Sequence, residues 1–278
     1  MAQSKQQIQA HLAAAGSQPR HRFGQNFMID QNLVRLIADA AELSPADRVI
    51  EVGPGTGTLT EELLSRGVAV LAVEIDRDLA GELRRTFGDR ENFELIEGDV
   101  LASKHAIDDR LAAWIATAPE RAKLVANLPY NIASPLVVEL LLSGVRTLVF
   151  TVQKEVAERM KAPAGDEAYG PLSAIVQMLG HVEILRTLPP QAFWPPPKIE
   201  SSLVRITADD RSGGDGRAFG LFLQKLFAYR RKTLRKAMDM AGFGEVPASL
   251  GLDSTLRPEV FSPEQLFALF AASRSLRA

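Results

Sequence analysis

From about residue 48 to residue 153 the apolar positions alternate between two patterns, short continuous runs and longer stretches where they recur every three or four residues. The runs over 48–52, 68–73, 93–97, 123–127 and 147–152 predict strands buried on both faces. Between them, helical spacing predicts helices over 59–66, 79–87 and 135–143, the last opened by Ser134 with Pro135 at its first position. An earlier helix over 31–41 precedes the first strand. Strands and helices in this alternation imply an α/β fold built on a parallel, doubly wound sheet.

After residue 153 the pattern changes. A small-residue loop over 162–169 leads to a helix near 172–179 and two further strands, 182–185 and 202–207, expected to pair as a hairpin at one sheet edge. A stiff loop, Phe193-Trp194-Pro195-Pro196-Pro197-Lys198, separates them. The Gly-rich, charged stretch 209–216 marks a domain boundary, with 1–208 as N-terminal arm and sheet domain and 209–278 as a small domain of helices over 218–229, 233–241 and 263–273. Residues 1–19 are rich in Gln and Ala and are expected to be mobile.

At 278 residues and 46% hydrophobic the chain can bury a full core. The absence of cysteine excludes disulfides and thiolate metal sites, which fits a reducing cytoplasm. No apolar run reaches the roughly 18 residues of a membrane span, and the four histidines show no metal-ligand spacing. The net charge is −2, but unevenly spread: residues 39–120 hold 18 acidic and 8 basic residues, whereas 217–240 carry seven basic residues against Asp239 alone. Arg230, Arg231, Lys232 and Arg235, with Lys236, form either a local basic surface for phosphates or an ordinary solvated helix face.

Glu51-Val52-Gly53-Pro54-Gly55-Thr56-Gly57 follows a strand and opens a helix, where glycines let the backbone turn tightly and a ligand approach. It is not a phosphate loop, lacking a terminal Gly-Lys-Ser/Thr, and Thr58 stands where a dinucleotide fingerprint needs its third glycine. Glu74, at the end of the next strand, is placed to accept both hydroxyls of a ribose, and Asp99, at the end of the third, to accept from an adenine amino group. Each acid alone reads first as a solvated surface charge or helix cap, and Asp76 is expected to cap the following helix. Their order along the chain suits an adenosine-bearing cofactor such as S-adenosylmethionine.

Asn127-Leu128-Pro129-Tyr130 closes the fourth strand. The sequence can be an ordinary strand-to-helix turn. It can also hold an exocyclic NH2 between the Asn127 amide oxygen and the Leu128 carbonyl, with Tyr130 offering a flat face to a base.

These residues, together with Arg22-Phe23-Gly24-Gln25-Asn26-Phe27, Gln153-Lys154-Glu155-Val156, Tyr169-Gly170 and the segment 193–202, closely resemble the bacterial adenine N6,N6-dimethyltransferases of small-subunit (16S) ribosomal RNA over nearly the whole chain. The resemblance implies a Rossmann-like, seven-stranded, S-adenosylmethionine-dependent methyltransferase core with a small C-terminal α-helical domain. It implies that Gln25, Asn26 and Met28 (a leucine in most of the family), Gly53 and Gly55, Glu74 with Ile75, Asp99 with Val100, and Asn127 contact the cofactor. Asn127, Leu128, Pro129 and Tyr130 would form the catalytic pocket, and Phe193 would sandwich the flipped base against Tyr130. The implied substrate is a pair of adjacent adenosines in the hairpin loop near the 3′ end of 16S rRNA, in an assembling 30S particle, modified by a cytoplasmic protein for which nothing demands more than a monomer. The rivals are a large-subunit adenine methyltransferase and a non-catalytic ribosome-assembly or transcription factor.

Overall fold

The computed structural model describes residues 3–20, 24–103 and 105–275. Arg22 and Phe23 of the resemblance lie outside the described residues. The chain forms two compact units: residues 1–157 with 183–208, and residues 158–182 with 209–278. The second unit thus joins residues 158–182, which include the first residues of the strand Gly180–Leu188, to the segment from 209 onward.

Seven strands, Arg48–Val52 (β1), Ala69–Glu74 (β2), Phe93–Glu97 (β3), Ala122–Asn127 (β4), Thr147–Gln153 (β5), Gly180–Leu188 (β6) and Ser201–Ala208 (β7), form one sheet in the order β3-β2-β1-β4-β5-β7-β6. The pairs from β3 through β5 are parallel, and β7 runs antiparallel to β5. As expected, β6 and β7 are neighbours at one edge. Val49, Ile50, Leu124, Val125, Leu148 and Val149 are all fully buried, as continuous apolar runs in a two-sided parallel sheet should be.

In the first unit lie Lys5–Ala14 (α1), Gln31–Ala40 (α2), Thr58–Ser65 (α3), Arg77–Phe87 (α4), Asp109–Ala116 (α5) and Ala133–Leu142 (α6). Asp76 caps α4 as expected, accepting from the Asp78 N–H. Helix α6 starts two residues before the expected Pro135, with Ile132 donating its N–H to the Pro129 carbonyl. Pro135 therefore sits third in the helix, where its missing N–H still costs nothing.

The N-terminal segment departs most from expectation. Residues 5–14 are not a mobile tail but α1, closed by a capping box between Ser4 and Gln7. Ile8 and Leu12, one turn apart, are buried against Leu79 and Phe27. His11 meets the carboxylate of Glu82 on α4 at 2.9 Å. Two apolar side chains at helical spacing are enough to seat a short helix whose remaining face is polar.

The helix Lys154–Lys161 (α7) carries the chain from the first unit to the second, which also holds Pro171–Leu179 (α8), Gly216–Phe227 (α9), Leu234–Met240 (α10) and Pro263–Ser275 (α11). Its core is aromatic: Phe219 meets Phe267 edge-on at 5.2 Å and Phe222 meets Phe243 at 4.5 Å. Tyr169, 1% exposed, donates its hydroxyl to the Phe261 carbonyl at 3.0 Å. Among the described residues no helix is long and apolar enough to cross a membrane.

Candidate active site

The sheet reverses its winding between β1 and β4, which leaves a crevice beyond the carboxyl ends of the parallel strands. A cleft opens there. Each strand end delivers one part of its wall: β1 the turn from Gly53, β2 Glu74 and Ile75, β3 Asp99 and Val100, and β4 Asn127 and Pro129. From the arm come Gln25, Asn26, Phe27 and Met28. All ten residues expected to touch the cofactor thus face one cleft.

The glycine turn is shaped by close approach as well as by conformation. Gly55 has φ of +62°, and a Cβ there would stand 2.9 Å from the Phe27 ring. Any other side chain would strain the turn and push that ring outward. Phe27 itself stacks on Trp194 at 6.5 Å, and the strand Phe27–Met28 pairs with Phe193–Trp194. Gln3, just before α1, donates to the Thr56 carbonyl at 2.9 Å. The arm therefore covers the turn that the cleft is built on. Sequence reasoning passed over Phe27, although it lies within the arm motif, because an aromatic there reads as core.

Charge inside the cleft is unusual. Glu51 is 2% exposed and accepts from the Thr60 hydroxyl at 2.7 Å; burial, augmented by the charge of Glu74, pushes its carboxyl up to about 8. Glu74 accepts from the N–H groups of Gly55 at 3.2 Å and Asp76 at 2.9 Å, yet burial still lifts it to about 7. Hydrogen bonds from N–H groups favour the carboxylate, so desolvation outweighs them here. Asp99 is exposed and accepts from the Leu101 N–H at 2.9 Å. The hydroxyls of Thr56 and Thr58, both buried and both on the cleft wall, have no hydrogen-bond partner among the described residues.

The arm is held by a small polar network. Arg20 pairs with Asp76 at 2.8 Å and also with Asp78. Gln25 accepts from the Arg20 N–H at 2.8 Å and donates to Asp76 at 3.1 Å. Asp76 is thus both the cap of α4 and the anchor of the arm.

Within the tetrapeptide, the Asn127 amide nitrogen donates to the Asn26 carbonyl at 2.8 Å, and its oxygen accepts from the Thr151 hydroxyl. Leu128 is buried, Pro129 lines the cleft, and Tyr130 is half-buried with its hydroxyl 2.7 Å from that of Ser201. Burial raises the Tyr130 phenol above its ordinary range, so it is a neutral hydrogen-bonding group at physiological pH.

Phe193 requires a correction. Expected as a base-stacking ring, it is 1% exposed and packed in the main core with Met28, Leu188 and Leu203. Successive side chains of a strand point to opposite faces, so pairing with the arm turns Phe193 inward and leaves the half-buried Trp194 on the other side. In the second unit, Arg230, Arg231, Lys232 and Arg235 are all exposed, at the turn before α10 and on its first residues. Arg230 and Arg231 share a hollow with Arg257 and Tyr169; Arg257, isolated in sequence, gave no signal of belonging there.

Residues 16–270 match the family model described as ribosomal RNA adenine dimethylase. A relative from Synechocystis named ribosomal RNA small subunit methyltransferase A is 41% identical over 276 residues, covering 90% of this chain and 95% of its own. Among solved structures, a dimethyladenosine transferase from Plasmodium falciparum matches the fold with a TM-score of 0.72 at 24% identity, covering 90% of this chain and 98% of that one. The 23S rRNA methyltransferase ErmE matches with a TM-score of 0.61 at 25% identity, covering 90% of this chain and 100% of its own. With a family model spanning nearly all of its length and this identity to a full-length relative, the chain belongs to the ribosomal RNA adenine dimethylase family.

Proposed function

We propose that the protein uses S-adenosylmethionine to dimethylate N6 of two adjacent adenosines in the hairpin loop near the 3′ end of 16S rRNA, acting as a monomer on the assembling small subunit. The observation that carries this reading is the meeting of Asn127 with Glu74 and Asp99 on one cleft wall. The residues suit the cofactor. Two buried acids that a neighbouring positive charge would ionise suit a cationic ligand, the hydroxyls of Thr56 and Thr58, without a partner among the described residues, offer polar contacts, and Ile75, 44% exposed, gives an apolar face for a base. When bound, the cofactor supplies a methyl group already activated on a sulfonium.

The protein's own work is binding and aiming. Glu74 would take the ribose hydroxyls, Asp99 with the Val100 backbone the adenine edge, and Gly53, Gly55, Gln25, Asn26 and Met28 the methionine portion. The Asn127 oxygen and the Leu128 carbonyl would accept from the target NH2, favouring a localised lone pair on N6 as the new C–N bond forms. The nitrogen then releases its proton to water. Tyr130 would stack on the flipped base, contributing on the order of 1–3 kcal/mol. Arg230, Arg231, Lys232 and Arg235 would meet RNA phosphates.

The test is transfer of labelled methyl groups to small subunits from a strain lacking this modification, followed by mass mapping of the modified nucleotides. Two dimethylated adenosines near the 3′ end of 16S rRNA are expected. Modification of 23S rRNA alone would favour the large-subunit reading, and no transfer to either would favour a binding role.

A further inference from the structure

Thr151 stands on β5 in parallel register with Asn127 of β4 and is fully buried. It holds the strand end twice over. Its carbonyl accepts the Leu128 N–H at 3.3 Å, and its hydroxyl donates to the Asn127 side-chain oxygen. The orientation of the amide is fixed independently, because the Asn26 carbonyl can only accept and so must face the Asn127 nitrogen, at 2.8 Å. That leaves the oxygen toward Thr151.

An amide oxygen has two acceptor sites, and Thr151 occupies one of them. The terminal torsion of asparagine is broad and nearly two-fold, so an amide held by its nitrogen alone can still swing its oxygen. A donor on the far side removes that freedom. Ser201, also fully buried, meets the Tyr130 hydroxyl from β7 at 2.7 Å, so both ends of the tetrapeptide are braced by hydroxyls from neighbouring strands.

We propose that Thr151 is a positioning residue for methyl transfer, its hydroxyl aiming the free acceptor site of Asn127 at the amino group to be alkylated. The inference rests on the reading of Asn127 as the acceptor for that group. Donation from Thr151 makes the amide oxygen no more basic, so its contribution is orientation. It should therefore act on turnover and leave cofactor binding alone.

The test compares the full-length protein with Thr151→Val, which keeps the shape of the side chain and removes the hydroxyl, and Thr151→Ser, which keeps the hydroxyl. On unmodified small subunits the valine variant should lose about tenfold in kcat, the size expected for one hydrogen bond that aligns a reacting group. Its KM for subunits and its calorimetric Kd for S-adenosylmethionine should stay within about twofold, and the serine variant should recover most of the turnover. Wild-type kcat in the valine variant would overturn the proposal. So would equal losses in both variants, or a loss of cofactor affinity in step with kcat. If the valine variant does not fold, Thr151→Ala against Thr151→Ser poses the same question. Asn127→Ala is run alongside: full activity there refutes the reading of Asn127 itself, whereas an inactive alanine variant beside a fully active Thr151→Val refutes only the role of Thr151.

Discussion

The side chain of Asn127 donates to the main-chain carbonyl of Asn26 at 2.8 Å across 101 positions of sequence, which ties the N-terminal arm to the strand end where chemistry is proposed. Asn127→Asp keeps the size of the residue but sets an oxygen against that carbonyl. Turnover on unmodified small subunits should fall about a hundredfold or more, in the range seen when a preorganised polar group is lost from a reacting centre. Calorimetry with S-adenosylmethionine should show a much smaller change, and a variant that turns over normally would show that the bond to the Asn26 carbonyl does not matter for turnover.

The buried acids make a pH prediction whose sign is fixed. Glu51 titrates at about 8 and Glu74 at about 7, both above their ordinary 4.5. Between 4.5 and those values the folded protein therefore holds protons that the unfolded chain has released. Their contribution to stability is fully present below 4.5 and is lost as pH rises toward 8. Denaturant midpoints without ligand should be lower at the upper end of this window than at the lower, and Glu51→Gln should flatten the slope. A cationic cofactor favours the ionised acids, so its binding should release protons and tighten as pH rises. Calorimetry in two buffers of different ionisation heat measures this directly, and proton uptake would contradict it.

Removing residues 1–16 deletes α1 and the Gln3 bond to the Thr56 carbonyl. Cofactor affinity should weaken about tenfold, the equivalent of one net hydrogen bond, and the thermal midpoint should fall as Phe27 and Leu79 lose the cover of Ile8 and Leu12. An unchanged Kd would show that the helix stabilises the fold without touching the cleft.

Arg230→Ala combined with Arg231→Ala should weaken binding to small subunits and lower the slope of log affinity against log salt by roughly 1.5, the release expected for two phosphate contacts. Single-nucleotide methylation assays or filter binding across a salt series would reveal it. A slope equal to that of the unaltered protein would mean that these exposed arginines do not meet RNA.

Much of the first unit could be read directly from residue patterns. Continuous apolar runs mark buried parallel strands, and a glycine turn or an acid at the end of such a run marks the cleft, so Gly53, Gly55, Glu74 and Asp99 were legible. Helix α5 was missed even though Leu111, Trp114 and Ile115 carry its buried face, because one turn's worth of apolar residues was lost in an acidic stretch. Helix α1 was missed because Ile8 and Leu12 acquire meaning only against Phe27 and Leu79. Phe193 was misjudged because its prolines suggested an exposed loop, whereas pairing with Met28 decided which way the ring points. Thr151 looks like one more β-branched strand residue until register sets it beside Asn127.

The strand Phe27–Met28 also carries a lesson about the order of synthesis. Its pairing partner is Phe193–Trp194 and the partner of the Asn26 carbonyl is Asn127, so the segment made first is fastened by segments made much later. While Trp194 is still inside the translating ribosome, the arm has no strand to join and the cleft lacks one wall. A member of the ribosomal RNA adenine dimethylase family thus cannot complete this cleft until the ribosome making it has delivered most of the sheet.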